Sequence, residues 1–266
     1  VTYLHNRDFG LEVAKGNVSG HLVVNKFGRN AEVDTATDPA DVWDGGMATG
    51  GDSSVWVAPT QARGHTIASS STADDFSASG TGARTLRLWG LTDWDTAEVN
   101  EDIELDGAGT NAVATVNNYV IIHRMRVLTA GSGNTNAGEI RATATTDGTV
   151  TARISAGKGQ TLMAIYGVPS IQSFYVVQWY IDVNKSGAAG TAAVELVVAP
   201  DADTDVDLFV VKHHLGLQTT GTSHVAHTFD PPFKIAGPAI IKASVFEVSA
   251  NNTDVSAGFD GYLVTS

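Results

Sequence analysis

Across residues 160–266, apolar side chains fall on alternate positions in one segment after another, and Gly, Asn, Asp and Pro cut the segments apart. A period of two sends successive side chains to opposite faces, so each segment buries one face and wets the other, as an antiparallel strand does. The pattern predicts strands at 161–168, 173–183, 191–198, 206–215, 224–229, 239–248 and 254–264. Pro169, Pro200, Pro231, Pro232 and Pro238 are expected at strand ends, where a missing N–H does least harm. No segment carries a helix cap followed by a 3.6-residue stripe longer than a turn or two.

Upstream, residues 84–91 show the same alternation, with Leu86 and Leu88 on one side and Thr85, Arg87 and Trp89 on the other. Further strands are predicted at 97–105, 119–129, 139–146 and 149–154, the last two joined by Asp147-Gly148, a dipeptide suited to a two-residue type I′ turn. The Gly-rich stretch 156–159 reads as a hinge. Residues 1–62 lack sustained periodicity apart from a short strand at 21–27, and Gly and Asn punctuate them throughout. The expected organisation is therefore all-β: an extended amino-terminal arm with loops (1–62), a first antiparallel β-sandwich unit (63–157) and a second, jelly-roll-like sandwich (158–266).

A chain of 266 residues is long enough to bury one large or two modest cores. Cysteine is absent, which removes disulfides and thiolate metal sites and fits assembly in a reducing compartment. The net charge of −13, from 29 acidic against 16 basic residues, repels phosphate and argues against a nucleic-acid partner. The first thirty residues carry Asp8, Glu12, Lys15, Lys26 and Arg29 around no long apolar stretch, so no leader segment is expected among them. No segment approaches the roughly 18 apolar residues of a membrane helix.

Candidate chemistry is sparse. Asp201, Asp203, Asp205 and Asp207 alternate as Ca²⁺ ligands can, but without the Gly and Glu that complete a calcium loop, and a solvated acidic turn is the better reading. His213, His214, His224 and His227 lie in one strand-loop-strand region, yet adjacent or three-apart histidines on strands diverge, so no shared metal is expected. Gly80/Gly82 and Gly157/Gly159 lack the helix and the Gly-Lys-Ser/Thr ending of a phosphate loop. Asp74 with Asp75, or Glu101, Asp102 and Glu104, offer paired acids without any sequence sign of a raised pKa. There is no Gly-x-Ser-x-Gly elbow and no thiol. No catalytic residue, metal or cofactor is assigned, and the chain reads as a non-enzyme. Phe9, Leu11, Val13 and Phe27 are the expected anchors of the arm on another subunit, and Trp89 and Trp94, flanking the turn after a strong strand, are the expected exposed aromatics.

The strings GTGARTLRLWGL (80–91), GQTLMAIYGVP (159–169), GPAIIKA (237–243), VNKFGRN (24–30) and NNTDVSAGF (251–259) resemble a family of virion proteins from tailed, especially marine, bacteriophages. The resemblance spans nearly the whole chain and implies a particle component with no catalytic residues to carry over. Within a particle, an acidic β body with a loose arm suits a decoration or cement protein on the outer capsid surface. It would be assembled in the host bacterial cytoplasm, with the major capsid protein and its own copies, in a trimer by analogy, as partners. A tail or fibre-associated receptor-binding protein is the first alternative, and a carbohydrate-binding or carbohydrate-active jelly roll the second. On this reading residues 1–62 make most of the contacts to another chain, and their deletion leaves two folded units.

Overall fold

The computed structural model describes residues 8–36, 39–47, 55–77, 79–107, 111–185, 189–205, 207–219 and 222–265. After a short helix, α1 (Phe9–Ala14), come β1 (His21–Val33), β2 (Ala40–Asp41), β3 (His65–Ser69), β4 (Ala83–Leu91), β5 (Val99–Glu104), β6 (Val113–Ala114), β7 (Ile121–Ala130), β8 (Ile140–Ala144) and β9 (Val150–Ile154). The chain continues through β10 (Ile165–Val168), β11 (Gln172–Asn184), β12 (Gly190–Pro200), β13 (Val210–Thr219), β14 (Thr222–Ala236), β15 (Ala239–Val248) and β16 (Thr253–Thr265). No described helix is long and apolar enough to cross a membrane.

All described pairings between these strands are antiparallel, and they make four sheets with orders β1-β16-β11-β14, β10-β15-β12-β13 with β2 added on β15, β6-β3-β8-β9, and β5-β4-β7. The arrangement is thus four blades, propeller-like in number, in place of the two sandwiches expected. Its blades are not runs of consecutive strands: β1 and β16, from opposite ends of the described chain, are neighbours.

Two hydrophobic cores lie among the sheets. The larger is filled by Phe174, Trp179 and Phe259 from the β1-β16-β11-β14 sheet and by Val194, Leu196, Ile241 and Val245 from the sheet containing β12 and β15. The second gathers Ile67, Leu86, Leu88, Met125 and Ile154 with Trp43 and Trp56, and it also takes Ile165, Ala199 and Ile240 from the β10-β15-β12-β13 sheet. Ile240 and Ile241 therefore point into different cores. All four residues of β10 and the first five of β15 are buried, because part of that sheet is covered on both faces, and such strands read as continuous apolar runs.

This packing corrects the expected domain map. Residues 21–33 are not an arm: β1 pairs with β16 from His21↔Val264 to Val33↔Thr253. β2 pairs with β15, while Trp43 and Trp56 fill the second core. The reason is area, since large aromatics and a long strand stabilise most where they are covered by their own fold. Within 1–62, residues 1–7, 37–38 and 48–54 lie outside the described residues. The supposed hinge is also fixed in place: the Val127 N–H donates to the Gly159 carbonyl at 2.8 Å and the Thr161 N–H to Met125 at 2.9 Å.

Two local expectations change as well. The β8-β9 connection runs through five residues, 145–149, and only Gly148 (φ +76°) is left-handed, so it is not a two-residue type I′ turn. Pro231 and Pro232 lie inside β14, not at its end. There Val176 pairs with Phe233 and Gln178 with Thr228, so residues 229–232 bulge opposite the single residue Val177. β14 is a sheet edge, where a bulge and missing donors are tolerated.

Candidate contact face and junction pocket

Asp8 caps α1, its side chain accepting from the Leu11 N–H at 3.3 Å. The helix ends as Gly16 (φ +74°) turns left-handed, with Asn17 N–H bonding the Glu12 carbonyl at 2.9 Å and Gly16 N–H bonding Val13 at 2.8 Å, a Schellman pair. The Phe9 ring stands edge-on to His21 and Tyr262, with centroids 5.8 and 5.6 Å away, which holds the helix against β1 and β16. Several apolar side chains of this helix-strand unit stay open to solvent. Phe9, Leu11, Leu22 and Val23 are each about half exposed or more, and β1 is the outer strand of its sheet. Of the four contact residues expected from sequence, Phe9 and Leu11 are thus available to another surface. Phe27 is half-buried, and Val13 is buried against its own fold, so it is no exposed anchor.

Beside this face β1, the 97–98 segment, β7 and β10 enclose a pocket of about 370 Å³. Its polar side is a tight cluster. The buried Lys26 Nζ donates to the His123 carbonyl, His123 Nε2 meets Glu98 Oε2 at 2.5 Å, and the Arg124 guanidinium donates to the Asn25 carbonyl at 2.6 Å. Burial, reinforced by Arg124, pushes the Lys26 ammonium well below the usual lysine range. Burial also lowers His123 against the pull of Glu98, so its imidazole is neutral at pH 7. Burial pushes the Glu98 carboxyl up, but His123, Lys26 and Arg124 outweigh it and hold it below the ordinary range. The Tyr166 ring lies 4.5 Å from His123, and burial raises its phenol. Leu22, Leu263 and Trp89 supply apolar wall.

Trp89 is half-buried, with Arg87 and Arg126 at 6.0 and 5.8 Å from its ring centroid. Trp94 is not an exposed aromatic: it is 8% exposed and belongs to the second core. Bulk decides this, because an indole beside a turn loses more water-exposed area by folding back than by standing out.

The remaining sequence candidates serve the fold. Asp74 is fully buried and accepts from Ser69 Oγ and from the N–H groups of Ala83, Ala137 and Gly138 at 2.6–2.8 Å, whereas Asp75 is a surface turn residue bonded to Ser77. Glu101 accepts from Val116, Asn117 and the Tyr119 hydroxyl. Asp102 pairs instead with Arg87, so these acids diverge. No group of three or more His, Asp or Glu side chains placed to hold a metal occurs among the described residues. The histidines are less scattered than their spacing suggested: His213 on β13 and His227 on β14 stack at 4.2 Å, edge-on to Phe229. Sequence reasoning missed Lys26, Glu98, His123 and Arg124. The one available signal was a lysine at an inward position of β1, between Val24 and Gly28, both buried.

No protein-family model and no curated protein matches the chain. Among solved structures it is similar to one described as the structure of infectious bursal disease virus Gt strain, at 11% identity and a TM-score of 0.24, over 93% of this chain and 73% of that one. A likeness this slight bears on neither fold nor function.

Proposed function

We propose that the chain is a structural protein of a tailed-bacteriophage virion, acting as a decoration or cement protein that binds the outer shell and breaks no bonds. The observation that carries this reading is the set of exposed apolar side chains on α1 and β1 of a strongly acidic, cysteine-free β protein. Phe9 and Leu11 project from a helix whose two ends are capped, so little ordering entropy is lost when they are covered by a partner. The resemblance of the short strings to phage virion proteins is the ground for choosing a particle. Its partners on this reading are the major capsid protein and further copies of itself in a trimer, and each pair of sheets around a common core is taken as one jelly-roll-like sandwich. The site of action is the outer capsid surface, after assembly in the host cytoplasm.

The double variant Phe9→Ser/Leu11→Glu tests the contact. It should bind particles lacking this protein at least about tenfold more weakly than the unaltered chain, because each side chain contributes roughly 1.5 kcal/mol or more when covered, and it should keep the same Tm. Binding at full strength would place the contact elsewhere. A tail or fibre station with receptor contact is the second reading, and the half-buried Trp89 beside a pocket favours it.

A further inference from the structure

Among the described residues, several cations meet a carboxylate directly: Arg29 meets Asp254, Arg87 meets Asp102, Arg153 meets Glu139, which Arg141 shares, and Lys242 meets Asp41. Lys26 and Arg124 do not. Their hydrogen bonds go to backbone carbonyls, and the one acid at the pocket, Glu98, is engaged by His123. Two neighbouring bases thus share one nearby carboxylate, Glu98, at the wall of a cavity, in a chain whose net charge is −13.

We infer that the junction pocket is a binding site for a small organic carboxylate with a body about the size of one sugar ring. The carboxylate is held by Arg124 with Lys26, and the body lies along Trp89, Leu22 and Leu263. The volume, about 370 Å³, falls within the range of small-ligand pockets, as does the pairing of apolar walls with a few convergent polar groups. Arg124 offers the planar fork that a carboxylate matches with two parallel bonds. His123 Nδ1 and Gln172 Oε1, on residues that line the pocket, are buried with no partner. Two sources share this chemistry: the acidic residue of a surface glycan, and a free aliphatic or aromatic acid. The inference holds whether the protein sits on a shell or on a tail.

Calorimetric titration of the full chain with glucuronate, N-acetylneuraminate, 4-phenylbutyrate and neutral glucose tests it. At least one acid should bind with a Kd below about 1 mM, and glucose at least about tenfold more weakly. Arg124→Gln should weaken the acid about tenfold or more without lowering Tm, as expected for loss of a charged hydrogen bond at a half-exposed position. Preference for the sugar acids identifies a glycan source, and preference for phenylbutyrate a free acid; either supports the site. No acid bound at 10 mM, glucose bound as tightly as the acids, or unchanged affinity in Arg124→Gln would each overturn it.

Discussion

Asp44 shows how burial shifts a carboxylate of this protein. It sits 1% exposed in the turn after β2, with Ser155 and Leu162 N–H groups on its Oδ2 at 3.3 and 3.4 Å. Burial, only partly offset by these donors and by Arg153, raises its pKa to about 6. The unfolded chain releases that proton near pH 4, so between about pH 4 and pH 6 the folded state holds a proton that the unfolded state has lost. Stability therefore falls as pH rises through this window, by about 3 kcal/mol at most. Asp44→Asn keeps an oxygen acceptor and removes the titration. Its Tm should exceed that of the unaltered chain at pH 7 and match it near pH 4, and a constant difference across pH 4–7 would contradict this assignment. Asp74 is the opposite case, a carboxylate with four donors. Asp74→Ala strands buried N–H groups and should cost about 3 kcal/mol in denaturant unfolding; a loss below about 1 kcal/mol would show that water replaces it.

At the scale of elements, β1 depends on Gly28. A Cβ there would come within 2.3 Å of the Val42 carbonyl and 2.4 Å of the Ala164 N–H, where β1 runs against the segments leading from β2 and into β10. Gly28→Ala forces backbone to move and should cost about 1–3 kcal/mol of unfolding free energy, while leaving the α1 face intact. Sequence made the carboxy-terminal strands legible, with 239–248 matching β15 at both ends, because alternation and turn residues are local signals. It gave only 21–27 of β1 as strand and set it within an arm, because Gly28 and the polar Asn25, Lys26, Arg29 and Asn30 interrupt the pattern. Asn25, Lys26 and Arg29 are explained only by partners far along the chain, Asp260, His123 and Asp254. The pocket was invisible for the same reason: Lys26, Glu98 and His123 are brought together by pairings that no spacing announces. The stacked His213 and His227 likewise come from the edges of two different sheets.

For the whole molecule, the decisive fact is that the first described strand closes on the last. Deleting residues 1–36 removes β1 from Val255, Phe259 and Leu263 and uncovers the large core. Such a truncation should fail to give a cooperative thermal transition, contrary to the expectation of a dispensable arm; a soluble truncated protein with a sharp transition would contradict the packing. Pairings this distant in sequence also raise the loop-closure entropy of folding, so refolding should be slow for the chain's size. The same closure sets the α1–β1 face on a rigid body, as a contact protein requires. An electron-microscopy map of the intact particle is the deciding measurement for the proposed role. Density for this chain should lie on the outer shell, with Phe9 and Leu11 against a neighbouring chain. Virions that lack the protein, or that carry it with this face turned to solvent, would contradict it.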